Sequence, residues 1–70
     1  MKLSARNTLK GTVTKIIPGA VNAEVVIKLP GGDEITSIVT NDAIKALGLA
    51  EGNTAYAIIK ASNVMLAVDH

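Results

Sequence analysis

Three short stretches of this 70-residue chain carry groups suited to holding an anion. Ser4-Ala5-Arg6-Asn7 sets a hydroxyl and a guanidinium two residues apart, on one side of an extended strand. Lys60-Ala61-Ser62 offers an ammonium, backbone amides and a hydroxyl where a strand gives way to a turn. Thr40 to Ala43 opens a helical pattern, where free N–H groups and the helix dipole favour negative charge. Each stretch also has an ordinary reading. Arg6 and Lys60 serve equally as solvated surface charges, Thr40 as an N-cap, and Ser62 and Asn63 as turn residues. Periodicity alone does not bring the three stretches together.

Catalytic chemistry finds few tools in the remainder. There is no cysteine to act as nucleophile, and the sole histidine, His70, ends the chain. No serine therefore has an interior imidazole base, and a structural zinc site lacks its usual ligands. The six carboxylates form no close pair of the kind that works as acid and base. No phosphate-binding GxxxxGK[ST] loop is present, and Gly31-Gly32 reads as a turn. The chain is expected not to be an enzyme. A net charge of +1 without a Lys/Arg cluster, and Tyr56 as the one aromatic, argue against nucleic acid as partner. No apolar run approaches the roughly 18 residues that span a bilayer, so no membrane partner is expected. The opening Met1-Lys2-Leu3-Ser4 turns polar at once, unlike a signal peptide, and makes a cytoplasmic location the default.

The elements that must position these groups are mostly strands. β-Branched residues (Thr8, Thr12, Val13, Thr14, Ile16 and Ile17) recur over residues 3–17, which read as one long strand bent at Gly11. Pro18-Gly19 marks a turn. Residues 22–29 and 34–40 read as two further strands joined through Pro30-Gly31-Gly32-Asp33. Residues 42–47 read as a short helix, with Thr40, Asn41 or Asp42 as cap and Gly48 as terminator. Residues 54–60 and 64–68 complete five strands. The order β-β-β-α-β-β predicts an all-β fold with one short helix, a closed five-stranded barrel of the OB type, and a single domain over residues 1–70. A chain this short hides only about 60% of its unfolded surface. With 49% apolar residues and no disulfide, self-association is the expected support.

At this point the residues resemble a known family. The opening Met1-Lys2-Leu3-Ser4-Ala5-Arg6-Asn7, followed by Leu9-Lys10-Gly11-Thr12-Val13, is similar to that of the molbindins, or Mop proteins. Their module recurs as the TOBE domain of molybdate transporters and of the molybdate-responsive regulator. The likeness continues through Gly19-Ala20-Val21-Asn22-Ala23-Glu24-Val25, Val39-Thr40 and Leu47-Gly48-Leu49. It closes on Ala57-Ile58-Ile59-Lys60-Ala61-Ser62-Asn63-Val64-Met65 and so covers essentially the whole chain. The S-A-R-N opening and the I-K-A-S close are specific together at this separation.

The resemblance implies a protein that holds molybdate or tungstate as an intact oxyanion, with no side chain ligating the metal directly and no organic cofactor. It implies a homo-oligomer, a hexamer built as a trimer of dimers, with oxyanions between subunits and the first strand exchanged with a partner. Intracellular molybdenum storage or homeostasis is the corresponding role. Family binding roles fall on Ser4, Ala5 and Arg6, on Lys60, Ala61 and Ser62, and on the segment from Thr40. Several relatives carry a serine where this chain has Ala43, so here only the backbone N–H can serve. Residues 19–22 correspond to a second class of site near the symmetry axis. Two other readings stand beside this one: an OB-type nucleic-acid-binding module, and an oligomerisation or regulatory module in which oxyanion binding is vestigial.

Overall fold

Alternating apolar and polar side chains produce four strands in the computed structural model, which describes residues 2–69. They are β1 (Asn7–Pro18), β2 (Asn22–Lys28), β3 (Glu34–Thr40) and β4 (Thr54–Ile59). Helix α1 (Asn41–Leu47) follows β3 without a break, and a 3-10 turn (Ala61–Asn63) follows β4. Met1, and the terminal His70 set aside above as a zinc ligand, lie outside the described residues.

The strands make one antiparallel sheet in the order β3-β2-β1-β4. β1 is shared lengthwise. Its first half pairs with β4, from Asn7↔Ile59 to Thr12↔Thr54, and its second half with β2, from Thr12↔Lys28 to Pro18↔Ala23. The register slips between Val13 and Lys15, which leaves Thr14 as an extra residue. Before the slip Leu9, Gly11 and Val13 turn inward, and after it Ile16 does. This bulge lets one strand change face midway and curls the sheet. The irregularity expected at Gly11 therefore sits at Thr14. Gly11 has a different reason to be glycine: a Cβ there would lie 2.8 Å from the Lys28 carbonyl oxygen.

The core is small. Val13, Val25 and Ile27 are buried in the hollow of the sheet, with Ile16, Leu29, Ile35, Val39, Ala55 and Ala57 against them. Helix α1 closes one side by adding Ile44, and Leu49 joins it from just beyond the helix. That needs a sharp stop after Leu47. Gly48 supplies it at φ 64°, a left-handed conformation that glycine adopts without a Cβ clash. Its N–H reaches the Ile44 and Lys45 carbonyls, and the Leu49 N–H bonds to Ile44 O at 3.0 Å.

The expected closed five-stranded barrel is not what one chain forms. Residues 64–68 have strand-forming side chains but pair with no strand, and Met65 and Leu66 are each 93% exposed. The sheet is left as a half-barrel with β3 and β4 as open edges. Between those edges runs a mainly apolar groove of about 540 Å³. At the other end of the chain, residues 3–6 stay outside the sheet because β4 stops opposite Asn7 and offers no further partner. Nor is β1 free to leave, since its own chain holds it on both sides. The resemblance had implied exchange of this first strand. The unpaired strand-like segment is instead the last one.

Candidate anion site

The pairing of Asn7 with Ile59 builds the first cluster. The Asn7 side-chain amide donates to Ile59 O at 3.2 Å and locks the two strand ends together. One residue beyond this couple lie Arg6 on the incoming chain and Lys60 on the outgoing one, so their backbones are neighbours. Ser4 and Arg6 are exposed in a bent approach to β1, and Ala5 is half-buried. Lys60 caps the 3-10 turn, whose bonds run from Asn63 N–H to Lys60 O (2.9 Å) and from Val64 N–H to Ala61 O (3.3 Å). The amides of Ala61 and Ser62 donate to no backbone acceptor among the described residues, as expected for the first N–H groups of a turn. The two adjoining stretches carry between them two cations and two hydroxyls, with no carboxylate within either.

Thr40 belongs to a second place. It ends β3 and caps α1, and its hydroxyl oxygen accepts the Ala43 N–H at 3.0 Å. The two donors expected to face an anion there are thus bonded to each other. The physical reason is the N-cap: a threonine oxygen satisfies an amide that the helix leaves without a partner. The Thr40 hydroxyl hydrogen stays free to donate. Asp42 adds a negative charge to the first turn, which favours the helix and disfavours an anion.

Residues 19–22 lie beside Thr40, because Asn22 pairs with it. Asn41 ties the corner together. Its backbone N–H bonds to Val21 O at 2.8 Å and its side chain to Gly19 O at 3.0 Å. Sequence reasoning passed over Asn41 and Asn7 as positioning residues. An asparagine at the margin of a strand, able to satisfy a neighbouring carbonyl, was the available signal.

The fold brings Ser4, Ala5, Arg6, Lys60, Ala61 and Ser62 to one end of β1, and Thr40 and Ala43 to the other end of the sheet. The intervening 12-residue strand runs roughly 36 Å at about 3.3 Å per residue. The molecule's longest dimension is 38 Å. A tetrahedral oxyanion does not bridge such a distance, so the two groups of candidate residues do not meet at one ion within a single chain.

Comparison with known proteins follows the same outline. The TOBE domain profile matches residues 3–66. Molybdenum-pterin-binding protein 3 of Clostridium pasteurianum is 48% identical over 94% of this chain and 97% of its own length. The molybdenum transport protein ModE of Herbaspirillum seropedicae is 56% identical over 94% of this chain, which spans only 24% of that longer protein. Among solved structures, the cytoplasmic molybdate-binding protein ModG, crystallised with molybdate bound, superposes with a TM-score of 0.94 at 59% identity. That match covers 99% of this chain and 49% of ModG.

Proposed function

Because this chain belongs to the TOBE domain family and is a molbindin-like member of it, we propose that it binds molybdate, and tungstate alongside it, as an intact oxyanion between subunits of a homo-oligomer. It performs no reaction on the ion. The observation that supports this reading is the Asn7–Ile59 pair, which sets the stretch carrying Ser4 and Arg6 beside the stretch carrying Lys60 and Ser62.

Molybdate is a tetrahedral dianion with four acceptor oxygens and no proton at neutral pH. A donor-only cluster matches it, and its charge-assisted bonds are about twice as strong as neutral ones. Phosphate near neutral pH carries a proton that such a cluster leaves without an acceptor, at a cost of about 1–3 kcal/mol. Sulfate has no such proton and is discriminated by its smaller size. Molybdate and tungstate are nearly equal in size, so the two compete for the same cluster.

The separation of the part-sites supports an inter-subunit arrangement. Ser4, Ala5, Arg6, Lys60, Ala61 and Ser62 come from one copy, and Thr40 with Ala43 from another. In that pairing the Thr40 hydroxyl hydrogen is the available donor, and the Ala43 amide joins only if the cap bond yields. A hexamer built as a trimer of dimers, working in the cytoplasm for molybdenum storage or homeostasis, is the assembly and role we assign. One observation favours a second reading, an oligomerisation or regulatory module with vestigial binding: Thr40 and Ala43 satisfy each other, and Asp42 stands beside them.

Calorimetric titration of molybdate, tungstate, sulfate and phosphate into the protein, with elemental analysis for molybdenum after gel filtration, decides between the two. The first reading expects both heavier oxyanions to bind and molybdenum to co-elute. An assembled protein that takes up neither would leave the second.

A further inference from the structure

We propose that the outer face of the sheet, opposite the core, carries a separate site for a small organic phosphate monoester. The site centres on Thr12. It requires neither molybdate nor a second copy, and so stands apart from the function proposed above.

Thr12 is the residue of β1 that is paired on both sides, with Lys28 of β2 and with Thr54 of β4. Directly opposed residues face the same way, so Thr54, Thr12 and Lys28 form a row across three strands. All three are exposed, while Gly11, Val13 and Ile27 are buried behind them. Lys10 stands two places before Thr12 and shares its face. It is therefore the diagonal neighbour of Lys28, with Cβ atoms roughly 7–8 Å apart. The two lysines are distant in sequence, and only the pairing of β1 with β2 makes them a cluster.

An open hollow of about 600 Å³ lies over this row, with Lys10, Lys28, Thr12, Thr14 and Thr54 in its lining. Leu29 and Pro30 complete it as an apolar wall. That wall is held in place, because the Leu29 N–H bonds to Asp33 O at 2.7 Å and the Leu29 carbonyl accepts the Gly32 N–H at 2.9 Å. No carboxylate lines the hollow among the described residues. Glu34 is opposite Lys28, but on the side away from Thr12. The hollow is also remote from the stretches carrying Arg6 and Lys60: Thr12 is roughly 20 Å along the chain from Arg6 at about 3.3 Å per residue.

Two neighbouring ammonium groups repel each other, and an anion between them relieves that repulsion. Lysine binds phosphate as a point charge on a flexible stem, and these two stems reach the same space. The hydroxyls decide which anion fits. A phosphate monoester loses its second proton with a pKa near about 6, so part of it remains protonated near neutral pH. Hydroxyls accept as well as donate. Thr14 already turns its hydrogen to Val26 O at 3.4 Å, which leaves that oxygen an acceptor. Size argues for an organic body on the anion. The hollow falls in the range of about 300–1,000 Å³ that small-molecule sites occupy, and a bare tetrahedral ion underfills it. The wall of Leu29 and Pro30 gives the organic part an apolar surface to cover.

The test titrates phenyl phosphate into the full nitrogen-15-labelled chain and follows the amide resonances. Saturable shifts are expected at Thr12, Lys28 and Thr54. Binding should be at least about fivefold tighter than that of inorganic phosphate, because the ring covers the apolar wall. Lys10→Ala and Lys28→Ala should each weaken it about tenfold, since each removes a charge-assisted bond. Both lysines are exposed, so these variants keep the parent fold, which the same spectra verify. Lys45→Ala removes the same charge from α1 and should leave binding unchanged. Saturating molybdate should not displace the ester. Absence of shifts around Thr12, displacement by molybdate, equal weakening in Lys45→Ala, or inorganic phosphate binding as tightly as the ester would each overturn the proposal. A protein that held the ester here yet took up no molybdate would refute the proposed function and leave this site standing.

Discussion

Arg6 and Lys60 sit next to each other only because Asn7 and Ile59 pair, and the residue-scale predictions follow from that contact. Arg6→Ala removes a guanidinium whose hydrogen bonds to a dianion are charge-assisted. Molybdate affinity should fall about 10- to 100-fold, read by calorimetry, since such bonds contribute about 1.5–3 kcal/mol. An unchanged dissociation constant would remove Arg6 from the site. Thr40 carries two separable duties. Thr40→Ala deletes the cap on Ala43 and should cost about 0.5–2 kcal/mol in chemical unfolding, together with any part in binding. Thr40→Ser keeps the hydroxyl and should restore both. If Thr40→Ala lost stability yet bound molybdate normally, the residue would be a cap alone.

Single elements explain why some of this was legible in the sequence and some was not. β2, β3 and α1 fell within one residue of expectation, because alternation, a Pro-Gly-Gly turn and a Thr/Gly cap pair are local signals. The first and last strands were misjudged for one shared reason. Residues 3–6 and 64–68 have strand-like composition, but a strand exists only where a partner edge lies beside it, and that is a property of topology. The bulge was misplaced similarly. Glycine looked like the bend, while the register slip fell on Thr14 and Gly11 answered to crowding by Lys28. The anion-binding stretches were visible as residue types, and their division between two ends of the sheet was not. Gly11→Ala tests this account. Its methyl would meet backbone at 2.8 Å. The strands must then part, at about 1–3 kcal/mol for an overpacked site, which thermal unfolding should register. A variant as stable as the parent would show that the sheet opens there without penalty.

At the scale of the whole molecule, five hydrophobic side chains are buried among the described residues: Val13, Ala23, Val25, Val26 and Ile27. A core so small gains stability from association, so the melting temperature should rise with protein concentration, as calorimetry over a dilution series would show. A concentration-independent transition would indicate a self-sufficient monomer. Molybdate at about 100 times its dissociation constant should add about 2.7 kcal/mol, a rise of roughly 10–20 °C for a domain of this size. The sharing of β1 between two partners has a consequence for biosynthesis. Its second half meets β2 across a short turn, whereas Asn7 waits for Ile59, 52 residues later. Contacts so distant in sequence close late, because the chain between them must first be ordered. On a growing polypeptide the hairpin can form early, but Arg6 has no Lys60 beside it until the strand β4 has been made. An oxyanion that needs both stretches therefore meets them together only after β4 has paired with β1.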